Sequence, residues 1–88
     1  MRLDQFLQKT GIVKRRSLAK ELCDRGLVEI SGRKAKAANE VSPKEILTVK
    51  FHDRRCTYTV LGIPQGNVKK EDRVEYAQLT NEERFHEE

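Results

Sequence analysis

The sequence predicts an α+β domain in which two short N-terminal helices pack on a small antiparallel sheet. Apolar residues recur at helical spacing over residues 3–7 and again over 18–23. From Val28 onward they alternate instead, most clearly over 47–51 and 56–60. The helical and extended patterns are segregated along the chain rather than interleaved, which favours α+β over a wound α/β fold. The chain has 88 residues, room for one domain with a modest core, because a chain of this size buries only about 60% of the surface its unfolded form exposes.

Leu3, Phe6 and Leu7 fall at i, i+3 and i+4, one stripe of a first helix, with Asp4 in the first turn and Gly11 as its stop. In the second helix Leu18, Ala19, Leu22 and Cys23 make the apolar face, while Arg16, Lys20 and Glu21 fall off it. Gly26 suits the left-handed residue that ends it. Its start is open between an N-cap at Ser17 and an earlier beginning near Lys14. Val28 and Ile30 flank Glu29 in a half-buried strand, Ser31-Gly32 reads as a turn, and residues 33–36 as a short return. Asn39 to Lys44, with Pro43, is a loop. Leu47, Val49 and Phe51 form the best strand, residues 52–55 a connection, and Cys56, Tyr58 and Val60 the antiparallel partner. Phe6, Phe51 and Tyr58 read as core. Residues 69–82 read as a weak C-terminal helix on Val74, Ala77 and Leu79, and residues 83–88 as a fraying end. The expected division is a domain over 1–66 and an acidic C-terminal extension over 67–88, partly helical or disordered.

Apolar residues make up 36% of the chain and charged residues 36%. No apolar run exceeds two residues. That excludes a transmembrane helix of about 20 residues and a secretory signal, so a soluble protein kept in the cytoplasm is expected, with no membrane partner. Cys23 and Cys56 have neither CxxC nor zinc-finger spacing and read as reduced, buried thiols. His52 lies beside a turn and His86 in a polar tail, both solvated by expectation. With no nucleophile–base pair, metal set or phosphate loop, neither an enzyme nor a cofactor is expected.

The net charge of +4 is unevenly spread. Residues 1–36 carry ten Lys/Arg against four acidic residues, and residues 69–88 carry four against seven. A basic surface concentrated in this way suits a polyanion, nucleic acid before anionic lipid. Lys14, Arg15 and Arg16 stand immediately before the second helix or open it, and Arg16 and Lys20 share one side of it. Arg2 joins them if the helices pack as a hairpin, and Arg33, Lys34 and Lys36 surround the following turn. Aromatic residues are 6% of the chain, too few for single-strand stacking, so the shape and backbone of folded RNA are the expected target.

Arg2-Leu3-Asp4-x-Phe6-Leu7, then Lys14-Arg15-Arg16-Ser17-x-Ala19-x-x-Leu22, then Gly26-x-Val28-x-Ile30-x-Gly32 together resemble the RNA-binding domain named after ribosomal small-subunit protein four, the S-four-type domain. The resemblance covers residues 1–51, and the chain resembles the small free-standing members of that family. It implies an α+β fold with the two helices as the RNA face. It also implies binding to large-subunit rRNA and P-site peptidyl-tRNA after a stalled ribosome splits, with an RqcH/NEMF-type tailing factor as partner and alanine tailing as outcome. A monomer is expected. By position, Arg2, Asp4 and Arg16 become the prime RNA-face residues, with Lys14, Arg15 and Lys20 beside them; Asp4 is expected to orient an arginine or cap the helix rather than touch phosphate. Three departures stand out. Arg15 replaces a common Ser, Ile30-Ser31-Gly32 replaces Val-Asn-Gly, and Pro43-Lys44-Glu45 replaces Pro-Gly-Asp. The alternatives are a heat-shock recycling factor or general rRNA-binding protein and, in another class, a protein-interaction module built on the acidic tail and hairpin.

Overall fold

The computed structural model describes residues 1–85. Two helices, α1 (Leu3–Lys9) and α2 (Arg16–Asp24), precede strands β1 (Val28–Ile30), β2 (Arg33–Lys34), β3 (Ile46–Lys50) and β4 (Arg54–Val60). A 3-10 helix (Lys70–Glu75) then leads into β5 (Ala77–Arg84). The strands form one antiparallel sheet in the order β2-β1-β3-β4-β5. No helix among the described residues is long and apolar enough to cross a membrane.

The core follows the two periodicities. Leu3, Phe6 and Leu7 of α1 are fully buried, and meet Ala19, Leu22 and Cys23 of α2 and Val28, Leu47, Val49 and Val60 of the sheet. Pairing of Leu47 with Tyr58 and of Val49 with Cys56 keeps apolar side chains of β3 and β4 on the same face. Leu18 departs from the predicted apolar face and is 42% exposed, because the buried arc of α2 centres on Ala19, Leu22 and Cys23. Phe51 and Tyr58 are half-buried against the core, and the Arg54 guanidinium stands 4.5 Å over the Phe51 ring. Gly26 ends α2 with φ +72° as expected.

The C-terminal segment differs most from the sequence reading. The weak helix expected over 69–82 is a 3-10 helix at Lys70–Glu75 only, and residues 77–84 are a strand. Only Ala77 in β5 is even half-buried, so no apolar alternation announces the strand. Backbone pairing with β4 holds it instead, helped by Arg55 donating to Glu83, an Arg54–Glu82 ion pair, and the Thr80 hydroxyl donating to the Thr57 carbonyl. Residues 83 and 84, expected to fray, belong to this strand, and Phe85 N–H donates to the Asp53 carbonyl at 3.0 Å; His86 and the last two residues of the expected fraying end lie outside the described residues.

Two of the departures from the family pattern sit where the backbone is strained. Ser31 has φ 51° and Lys44 φ 75°, a region costing an L-residue with a Cβ roughly 1–2 kcal/mol. These are the positions where Asn and Gly stand in the pattern. Lys44→Gly is expected to raise unfolding free energy by about 0.5–1 kcal/mol, read as a higher urea midpoint at unchanged m-value.

Candidate nucleic-acid interface

Helix α1 begins without a side-chain cap, Arg2 occupying its N-cap position. The first N–H groups must find acceptors elsewhere. Leu3 donates to the Asn39 carbonyl (2.8 Å) and Asp4 to that of Ala37 (3.2 Å), while Gln5 N–H donates to the Asp4 carboxylate (2.8 Å). Val41 N–H bonds the Met1 carbonyl (3.0 Å), and the N-terminal ammonium pairs with Glu40 at 2.7 Å. The 35–41 segment is thereby stitched to the start of α1, which carries Lys36 toward Arg2.

Asp4 is the hub of this face. Its side chain is only 3% exposed. Arg2 Nε donates to one carboxylate oxygen at 3.1 Å and Arg16 Nε to the other at 3.3 Å. Burial pushes the carboxyl pKa up, but hydrogen bonds from Arg2, the Gln5 N–H and Arg16, with the Arg16 charge, outweigh it and hold the group below the usual carboxylate value. Both arginine side chains remain about half exposed, at 46% and 51%. Arg16 is held through Nε alone, which leaves its terminal nitrogens without a partner among the described residues, while Arg2 also donates from Nη2 to Asp4 at 3.4 Å; a guanidinium held at one end can still offer N–H groups to phosphate oxygens.

Arg2, Lys20, Lys34 and Lys36 rim a groove of about 630 Å³ between α2 and the β2–loop segment. A Cβ on Gly26 would stand 3.3 Å from Lys34 Cδ, so the absence of a side chain there lets the Lys34 stem lie over the end of α2. Cys23 also borders the groove. Burial, then the charges of Asp4 and Asp24, push its thiol up to about 11, so it stays protonated at neutral pH. Both cysteines are buried free thiols.

The structure thus brings Arg2, Asp4 and Arg16 into one ion-paired cluster and Arg2, Lys20, Lys34 and Lys36 around one groove. It does not bring the whole predicted set together. Lys14 and Arg15 line a separate depression with Ser17, Leu18 and Glu21, and Arg33, exposed on β2, does not line the groove. Helix α2 begins at Arg16, with Arg15 as an extended N-cap, so Ser17 is not the cap. Asp24, which borders the groove, was absent from the sequence reading; the signal for it is its place one turn after Lys20 on the same flank.

Other arginines are neutralised. Arg54 pairs with Asp53 and Glu82, Arg55 with Glu83, and Arg84 with Glu82. Among the described residues no ion pair engages Lys14, Arg15, Lys20, Lys34 or Lys36.

Comparison with known proteins gives the family and the fold. The S4 domain model matches residues 1–47. The RQC P-site tRNA stabilizing factor of Bacillus subtilis strain 168 is 39% identical over 97% of this chain and 98% of its own. The protein of the same name from Helicobacter pylori strain 26695 is 41% identical over 82% of this chain and 87% of its own. Among solved structures, the trimeric Heat Shock Protein 15 of Vibrio cholerae superposes with TM-score 0.82 at 26% identity, covering 91% of this chain and 81% of that one. The solution structure of the hypothetical protein HP1423 gives 0.80 at 38% identity, covering 92% and 98%.

Proposed function

This chain belongs to the S4 domain family, and from that premise we propose that it is a non-enzymatic RNA-binding factor of ribosome-associated quality control. In this reading it binds large-subunit rRNA and the P-site peptidyl-tRNA of a stalled, split ribosome. It supports alanine tailing by an RqcH/NEMF-type factor in the cytoplasm. The observation that carries the reading is the Arg2–Asp4–Arg16 cluster beside the four-cation groove. Fixed guanidiniums next to unpaired lysines make a phosphate-binding face in which positioning residues are already set. Similarity to relatives named RQC P-site tRNA stabilizing factor supports a role in ribosome-associated quality control. The full cationic face lies within one chain, which supports action as a monomer; a trimer in equilibrium sedimentation at micromolar concentration would overturn that part.

Lys14, Arg15 and Arg33 act on this reading as outlying contacts. Arg16→Ala is expected to weaken co-sedimentation with isolated large subunits about tenfold, the loss of one charge-assisted contact, and to lower the salt slope by about 1. Unchanged co-sedimentation at moderate salt would remove Arg16 as an anchor. The tagged protein is expected to recover large subunits that carry peptidyl-tRNA and a tailing factor. Recovery of large subunits without peptidyl-tRNA would favour the recycling role, and binding that survives nuclease and high salt would favour a protein-interaction module.

A further inference from the structure

Building on the RNA-binding reading, we propose that the groove between α2 and residues 34–38 is a nucleotide site for an unpaired guanine, with Asp24 as its specificity-determining residue. The groove has the shape and chemistry of such a site. Beside the buried Ala35 and Ala37, its lining includes the exposed Ala38, a small apolar surface on which the face of a base can lie. One wall is the Lys34 stem over Gly26. Its rim holds cations on both α2 and the 34–36 segment, able to take the phosphates on either side of an extruded nucleotide. At about 630 Å³ it is within the size range of ligand sites.

Asp24 is the anomaly. It is exposed and borders the groove, yet among the described residues it makes no ion pair, although Lys20 stands one turn earlier. A carboxylate in a phosphate-binding groove repels its ligand unless it accepts hydrogen bonds from it. It can only accept. Guanine presents two adjacent donors, N1–H and the N2 amino group, spaced for both oxygens of one carboxylate. Adenine and cytosine present a single amino group and uracil a single N–H. A site that hydrogen-bonds one ligand edge rejects ligands lacking it by leaving its own polar group unpaired. Unpaired bases are where folded RNA exposes that edge.

The test is the affinity of the full chain for one RNA hairpin carrying a single bulged guanosine, adenosine, cytidine or uridine, read by fluorescence anisotropy. The guanosine hairpin is expected to bind about tenfold more tightly than the others. Asp24→Asn is expected to erase that preference by raising affinity for the adenosine, cytidine and uridine hairpins, because it removes a negative charge, and lowering it for the guanosine hairpin, which loses its paired hydrogen bonds; a merely structural role would not yield these opposite signs. Ala38→Leu, which adds bulk at the exposed lining of the groove, should also erase the preference in a protein whose amide spectrum remains folded. Equal binding of all four bulges, or a guanosine preference that survives Asp24→Asn, overturns the guanine site and leaves the phosphate face standing. Failure of every hairpin to bind overturns both.

Discussion

Raising monovalent salt from about 50 to 200 mM is expected to weaken binding to structured RNA on the order of a thousandfold. The expectation follows from counting cations that have no carboxylate to release first. Arg2 and Arg16 share a single carboxylate, and Lys14, Arg15, Lys20, Lys34 and Lys36 have none among the described residues. If about six of these neutralise phosphates, the log–log slope is roughly −4 to −5. The paired arginines provide the control. Arg55 already faces Glu83, so Arg55→Ala should leave the slope unchanged. A slope shallower than about −2, equivalent to two or three phosphates, would mean that the face is not used as a unit.

The second large effect is expected at Asp4, and it appears in both stability and binding. Asp4→Ala strips the acceptor from the Gln5 N–H and from two guanidiniums. Charge-assisted hydrogen bonds contribute about 1.5–3 kcal/mol, so an unfolding loss of that order is expected in urea. The pH dependence has a definite sign. The folded pKa is depressed, so the carboxylate's stabilisation is complete above the unfolded value of about 3.9 and is lost as pH falls through the folded one. The stability gap between wild type and Asp4→Asn should be full at neutral pH and close in acid; a gap that persists into strong acid would contradict it. Binding should weaken between about tenfold and a hundredfold, since each freed arginine must be ordered on the RNA at roughly 0.5–1.5 kcal/mol. The salt slope should barely move, because no phosphate contact is removed. Such a result would separate positioning by Asp4 from contact by Arg16.

The helical stripes of α1 and α2, the Gly26 stop and the β3–β4 pair were legible because each rests on local periodicity or on one residue's conformational freedom. The convergence of Arg2 with Arg16 was legible only as a condition, that the helices pack together. That Asp4 would hold an arginine was legible, since a carboxylate near a basic cluster attracts one; its sharing between two arginines was not, because one partner lies twelve residues away. The β5 strand was hidden because its partners are charges and backbone groups of β4 rather than a buried apolar face. Arg54 and Arg55 looked like connection residues for the same reason: only β5 reveals what they pair with. Lys36 reaches the groove through the stitching of residues 35–41 to α1, carried by backbone bonds that leave no trace in side-chain type.

The two edges of the sheet are electrically unlike. Arg33 and Lys34 on the β2 edge enter no ion pair among the described residues, while on the opposite edge Glu82 and Glu83 of β5 are balanced by Arg54, Arg55 and Arg84. A body built this way experiences a torque in the field of a polyanion before any contact is made. It should therefore arrive already turned, its helical hairpin leading, and spend fewer collisions in wrong orientations.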